Sequence, residues 1–174
     1  FSSFLPGLAG VKGIPLWTFY TNRGQGMNSF GIDNKGNAIM EFNSANTAFE
    51  NTQVKGFRTF LKIDGEYYEP FFTYEKEAKR QMRMNKNSFK IIETNEKYGI
   101  EVTVNYYVLP NESIGALVRQ VSVKNIGDSA KEVQVIDGLP KIITYGIANG
   151  EFKEMSNLFK SWADIRNLEN KVPY

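Results

Sequence analysis

Apolar and polar residues alternate most cleanly between Ile100 and Val108. Ile100, Val102, Val104, Tyr106 and Val108 fall on one face, and Glu101, Thr103, Asn105 and Tyr107 on the other. A period of two marks a strand with one face buried. Residues 88–94 precede it across the turn Asn95-Glu96-Lys97-Tyr98-Gly99, and residues 114–125 and 132–139 follow as further strands. Upstream, residues 17–20 form a short aromatic strand. Residues 29–32 and 38–42 flank Asp33-Asn34-Lys35-Gly36-Asn37, and residues 58–63 and 66–72 flank Asp64-Gly65. Asn, Asp and Gly tolerate the positive φ that tight hairpins need, so both are expected to be hairpins.

The remaining segments are less regular. Residues 1–15 hold three glycines and two prolines and are expected to be an irregular arm. Residues 43–56 are polar and irregular, with one helical turn expected near Ala48. Residues 75–84 combine good helix formers with a position between two hairpins, so helix and polar edge strand both remain open. After Pro140 the period changes. Met155, Leu158, Phe159 and Trp162 stand at i, i+3, i+4 and i+7 on one helical face, in a helix starting at Asn149 or Gly150. Glu151 and Glu154 early and Lys160 late suit its dipole. The expectation is an all-β fold, an antiparallel β-sandwich over residues 1–149, followed by a helical linker over residues 150–174.

A chain of 174 residues makes one domain the natural expectation, with enough length to bury a core. A net charge of +2 gives no reason to expect nucleic acid or a membrane surface as partner. No apolar run has the length of a membrane-spanning helix. The sequence has no Cys, which rules out disulfides and thiolate chemistry within these residues and fits a reducing, cytoplasmic compartment. It has no His either, so the commonest general base and metal ligand are missing, and no metal or other cofactor is expected. Phe1 is not an initiator methionine, and a piece of a longer chain is expected.

The most distinctive chemistry lies in residues 17–60. Gly24-Gln25-Gly26 is not a nucleotide loop, because neither G-x-x-x-x-G-K-[ST] nor a complete G-x-G-x-x-G follows. Asn22, Arg23, Gln25 and Arg58 are the candidate substrate-binding residues. Guanidinium offers a fork of donors, and amides both donate and accept, which suits a polyhydroxylated ligand. The competing reading is local: Arg23 and Arg58 brace loop carbonyls or pair with Glu50 or Asp33, and Asn22 and Gln25 form turns. Trp17, Phe19 and Tyr20 can stack on a sugar, though aromatics on a short strand more often build a core. Glu50 and Asp33 are read as cap and turn residues rather than an acid–base pair, and the basic run 76–83 as a solvated face.

Three stretches together carry a family resemblance. They are Phe19-Tyr20-Thr21-Asn22-Arg23-Gly24-Gln25-Gly26; Glu50-Asn51-Thr52 running to Gly56-Phe57-Arg58-Thr59-Phe60; and Val123-Lys124-Asn125 running to Val135-Ile136-Asp137-Gly138-Leu139-Pro140. They resemble the N-terminal β-sandwich domain of the inverting glycoside phosphorylases of glycoside hydrolase family 94, the cellobiose phosphorylase family. Gly13-Ile14-Pro15-Leu16-Trp17, with Asn22-Arg23-Gly24-Gln25 and Phe42, is most similar to the β-1,2-oligoglucan phosphorylase branch. The resemblance implies a galactose-mutarotase-like supersandwich, then a linker helix and a catalytic (α/α)6 barrel that these residues do not include. It implies cleavage of a β-glucosidic bond of a β-glucan oligosaccharide by inorganic phosphate, giving α-glucose 1-phosphate. One carboxylic acid on the barrel would protonate the leaving oxygen while phosphate attacks the opposite face. No residue of this chain is therefore expected to be catalytic. The expected role is to support the acceptor side of the active site or a homodimer contact. A freestanding carbohydrate-binding or structural β-sandwich is the alternative, separated by the 150–162 helix: a phosphorylase domain should expose Met155, Leu158, Phe159 or Trp162, and a freestanding module should bury them.

Overall fold

The computed structural model describes residues 1–72 and 77–162, together with 164, 166, 167 and 169. Glu75 and Lys76, within the segment left open between helix and strand, and residues 170–174 of the expected linker lie outside the described residues, as does the Lys160 side chain.

The chain forms an all-β, antiparallel, sandwich-like fold with a C-terminal helix. In the first sheet, β1 (Ser2–Leu5), β2 (Leu16–Thr21), β3 (Met27–Ile32) and β4 (Ala38–Met40) lie in sequential order. Helix α1 (Ala45–Lys55) follows, then β5 (Arg58–Ile63) and β6 (Glu66–Tyr68). The second sheet, ordered β10-β9-β8-β7, holds β7 (Lys79–Met84), β8 (Ser88–Asn95), β9 (Ile100–Val108) and β10 (Leu117–Asn125). Finally β11 (Val133–Gly138) returns to β5, with Gly138 opposite Arg58 and Val133 opposite Ile63, making the sheet β11-β5-β6. Helix α2 (Asn149–Trp162) ends the described elements.

One core joins the three sheets. It gathers Leu5, Tyr20, Met27 and Met40 from the first, Leu61, Ile63 and Tyr68 from the third, and Phe89, Ile91 and the inward face of β9 from the second. Strand β9 alternates buried and half-buried along its whole length, as its sequence pattern requires. The Tyr20, Phe89 and Tyr106 rings stack in series, with centroids 4.9 and 4.6 Å apart. Phe89 is fully buried, and burying such a side chain contributes about 1.5–3 kcal/mol. Gly26 faces this stack with φ +83, and a Cβ there would lie 2.7 Å from the Phe89 ring. Both its conformation and its lack of a side chain are thus required. The Asp64-Gly65 hairpin uses two positive φ values, 49 and 93, as its dipeptide predicts.

The structure corrects four local expectations. Residues 1–15 are not wholly an irregular arm, since β1 pairs with β2 from Ser2 opposite Thr21 to Leu5 opposite Thr18, and buries Leu5. The polar stretch 43–56 holds an 11-residue helix rather than a single turn. Its buried face is only Ala48 and Thr52, so it carries no apolar stripe for the sequence to reveal. Between Asp33 and Asn37 the turn is wider than a tight hairpin: Asp33 takes φ 60, and the Asn34 side chain caps a 3-10 turn over Lys35–Asn37 by accepting from Gly36 N at 2.8 Å. Of the two readings of residues 75–84, the described part is an edge strand, β7.

The fourth correction concerns α2. Its docking face starts one turn earlier than expected, at Phe152, which packs with Ala38 and Ile143 while Trp17, Phe42 and Phe159 lie against them. The Asn149 side chain pairs with the Phe42 backbone in both directions, at 2.9 and 3.3 Å. At Met155 the helix kinks to φ −114, ψ 19. Beyond that kink Met155, Leu158 and Trp162 remain 41%, 41% and 66% exposed.

Candidate functional site

The loop between β2 and β3 follows from its residues. Gly26 sits against Phe89, Thr21 N donates to the Gly26 carbonyl at 2.8 Å, and Gly26 N donates to the Arg23 carbonyl at 3.0 Å. The Thr21 hydroxyl accepts from Arg23 N at 3.2 Å. This closed turn pushes Asn22 and Arg23 outward, into a cleft of about 460 Å³ bounded by α1 and β7.

Two arginines line that cleft in different states. Arg80 is tied down: its Nε donates to Glu93 Oε2 at 2.5 Å and its Nη2 to the Phe72 carbonyl at 2.6 Å. Glu93 has no exposed side-chain surface, and it also accepts from Phe71 N at 2.9 Å and from the Tyr68 hydroxyl. A buried carboxylate needs such a set of donors to offset its desolvation. Phe71 N reaches it with φ +65, where a bulky side chain costs on the order of 1–3 kcal/mol. The Glu93 bond accompanies this strain, and the Phe71 side chain lines the cleft.

Arg23 differs. Its guanidinium lies 5.1 Å over the Phe49 ring of α1, and among the described residues it has no hydrogen-bond or ion-pair partner. Asn22 Oδ1 accepts from the Phe1 nitrogen at 2.6 Å, which leaves its Nδ2 as a donor at the same rim. The described lining combines cationic, amide and aromatic side chains with Met82 and Ile91, and has no carboxylate. Such a surface can hold hydroxyl or anionic oxygens and stack a flat apolar face, while it holds no acid–base pair.

The other two candidates sit elsewhere. Gln25 points inward and is 4% exposed. Its Oε1 accepts from the Thr59 hydroxyl at 3.2 Å and from Arg119. Arg119 also donates to Tyr106 Oη at 3.1 Å and Thr59 Oγ1 at 3.0 Å, and forms an ion pair with Asp137. This one guanidinium links the β2–β3 loop, β5, β9 and β11, and lies 5.0 Å over the Phe57 ring. Burial pushes the Tyr106 hydroxyl up to about 12, against the opposing pull of Arg119. Arg58 is braced rather than free, by Glu69 at 2.7 and 2.9 Å, and lies 4.6 Å over Phe60. Its brace is Glu69 and not Glu50 or Asp33, and that hydrogen bond holds the guanidinium above its ordinary pKa. Arg58 lines a separate shallow cleft with Phe60, Ile136 and Leu139.

The structure therefore brings Asn22 and Arg23 together and sets Gln25 and Arg58 apart from them. Phe19 and Tyr20 are buried, and Trp17 is half-buried with Nε1 donating to the Asn34 carbonyl at 3.0 Å, which places the aromatics in the scaffold. Asp33 is a turn residue and Glu50 lies on α1. Sequence reasoning missed Arg119, Glu93 and Phe71. The first two carried a signal: Arg119 shares the phase of Leu117, Val121 and Val123, and Glu93 that of Phe89 and Ile91. A charge in a core-facing phase announces a buried partner.

Among the described residues no group of three or more His, Cys, Asp or Glu side chains is placed to hold a metal. No described helix is long and apolar enough to cross a membrane. In comparisons with known proteins, no family model matches the chain, and no curated protein matches it.

Proposed function

We propose that this chain is the non-catalytic N-terminal domain of an inverting glycoside phosphorylase, an enzyme that cleaves β-glucosidic bonds with inorganic phosphate to give α-glucose 1-phosphate. In this reading the sandwich is of the galactose-mutarotase-like kind, and an (α/α)6 barrel carries the general acid and the phosphate site. The domain acts in the cytoplasm and supports the acceptor side of the active site or a homodimer contact.

The observation that carries the reading is the Arg23 guanidinium, which has no hydrogen-bond or ion-pair partner among the described residues, beside Asn22 and Phe49 in the stretch with the family resemblance. An arginine stacked on an aromatic ring with its donors unused is prepared for oxygen ligands from outside the domain. The exposed Met155, Leu158 and Trp162 favour the phosphorylase reading over a freestanding carbohydrate-binding module, since an apolar helical face of this kind suits a neighbouring barrel.

A phosphorolysis assay tests it. The full reading frame encoding this chain, and this chain alone, are incubated with inorganic phosphate and β-1,2- or β-1,4-linked glucooligosaccharides, and glucose 1-phosphate is measured. The expected result is product from the full protein only, with the preferred linkage fixing the branch. No product from the full protein on any β-glucan would overturn the phosphorylase reading and leave the binding module.

A further inference from the structure

Among the described residues the three sheets end on β1, β4, β6, β7, β10 and β11. A sheet edge presents unpaired N–H and C=O groups, and edges that stay free are kept short or charged. Strands β1, β4 and β6 have 4, 3 and 3 residues. Strand β7 carries Lys79, Arg80 and Arg83, and β10 carries Lys124 besides the inward Arg119. Strand β11 has neither protection. It runs for 6 residues in unbroken register with β5, with no Lys, Pro or bulge. Its one charge, Asp137, is taken up by the ion pair with Arg119.

The hydrogen-bond pattern shows what this edge offers. Asp64 N donates to the Glu132 carbonyl at 3.0 Å, one position beyond the pair of Val133 with Ile63. Antiparallel pairs alternate between bonded and unbonded, so Gln134 and Ile136 also turn their backbone groups to β5. Val133, Val135 and Asp137 turn theirs to the open edge. On the outer face of the sheet, opposite the buried Leu61 and Ile63, Ile136 pairs with Phe60. Ile136 is 74% exposed, and Phe60 is exposed beside it. A strand added here gains main-chain hydrogen bonds and covers an apolar pair.

A second copy of β11 fits this edge. Set antiparallel about a two-fold axis at Ile136, Val135 of each strand stands opposite Asp137 of the other, and each such pair exchanges both main-chain hydrogen bonds. Between them Ile136 meets the partner's Ile136 in an unbonded pair, where side chains approach most closely, with a Phe60 on either side. Gln134 faces the partner's Gly138 and Val133 faces the partner's Leu139, so no like charges oppose one another. We propose that β11 is a self-association edge, through which two copies join their β11-β5-β6 sheets into one continuous sheet. This gives the homodimer contact of the proposed function a place in the fold, but it rests on the open edge and does not depend on the phosphorylase reading.

Because Ile136 faces its own copy across the axis, a charge exchange tests the proposal. Ile136→Lys and Ile136→Glu each oppose like charges there. In sedimentation equilibrium of this chain and of the full protein, each should weaken self-association about tenfold or more. An equimolar mixture of the two variants should restore it, which a loss of folding would not allow. Val135→Pro removes an N–H that faces away from β5, so it should weaken association while the monomer still folds. The Val135 and Asp137 amides should exchange slowly with solvent in the dimer and fast in the Ile136→Lys monomer. A native protein that stays monomeric would overturn the proposal. So would a dimer that the variants leave intact, or a mixture that does not recover. Slow exchange at Val135 and Asp137 in a monomeric full protein would also overturn it, by giving the edge to another segment of the same polypeptide. Phosphorolysis measured on the same samples reports on the enzyme reading separately.

Discussion

Arg23 and Arg119 are the same residue type used in opposite ways. Arg119 is 7% exposed at its side chain, and its nitrogens are committed to Tyr106, Thr59, Gln25 and Asp137. Arg23 is half-exposed and stacked on Phe49, and its guanidinium has no hydrogen-bond or ion-pair partner among the described residues. Both lie over an aromatic ring at about the same distance, 5.0 and 5.1 Å, so stacking does not distinguish them. Satisfaction of the donors does. A guanidinium with every partner inside the fold holds the fold together. One whose partners must come from outside is available to a ligand.

The sharpest way to break the contrast is to remove Arg119. Arg119→Ala would leave Asp137 without its ion pair and Gln25, Thr59 and Tyr106 without their common donor. Asp137 keeps 32% of its side-chain exposure, so the cost comes mainly from the buried Gln25, Thr59 and Tyr106 oxygens left without their donor, and is expected to be about 3 kcal/mol in all, a large part of a typical domain's total. Urea unfolding with intact slope would read it directly. A loss below about 1 kcal/mol would mean the junction is not a fastener.

Tyr106 gives the next largest effect, and it depends on pH. Its hydroxyl titrates near 12 in the fold, against an ordinary value of 10, because burial disfavours the phenolate. The folded pKa is raised, so the stabilisation is fully present below pH 10 and is lost as pH climbs towards 12. Two units correspond to about 3 kcal/mol. The stability difference between the native protein and Tyr106→Phe should therefore shift by roughly that amount over this window, and a flat difference would contradict the burial argument.

Arg58 stands between the extremes. It has a two-pronged ion pair with Glu69, but the side chains keep 28% and 20% of their exposure, so solvent screens the pair. Arg58→Ala should cost about 1 kcal/mol by thermal or urea unfolding. A loss matching that of Arg119→Ala would move Arg58 into the structural class.

The sequence disclosed the scaffold better than the site, for a physical reason. Strand β9 and its neighbours bury one face, so their period of two is written in the residues. Asp64-Gly65 announces its own turn, because few other dipeptides accept two positive φ values. Helix α1 buries only Ala48 and Thr52, so its pattern looks like that of a loop. Strand β1 gains its structure from pairing with β2, a tertiary fact that no local pattern contains. For the site, the motif grouped Asn22, Arg23, Gln25 and Arg58 by chemistry. Alternation around the positive-φ glycines then sent Arg23 outward and Gln25 inward, two positions apart. Whether an arginine is satisfied depends on residues distant in sequence, here Glu69 for Arg58 and Asp137 for Arg119, and that is not legible locally.

The smallest expected effect on stability belongs to Arg23, and it decides most about function. Arg23→Ala removes a stacked group, with no ion-pair partner among the described residues, from a half-exposed position, so unfolding should change by no more than about 0.5 kcal/mol. If the proposed phosphorylase function holds, the same substitution in the full protein should raise the KM for the oligosaccharide acceptor or donor while leaving the unfolding midpoint in place, because the lost donors would have met ligand rather than scaffold. Arg23→Lys keeps the charge but loses the planar fork, and should restore only part of the affinity. If Arg23→Ala destabilises the chain as Arg119→Ala does, the cleft arginine is a fastener after all. If it changes neither stability nor KM, Arg23 contributes neither to the fold nor to oligosaccharide binding, and the proposed role of the cleft loses its main support.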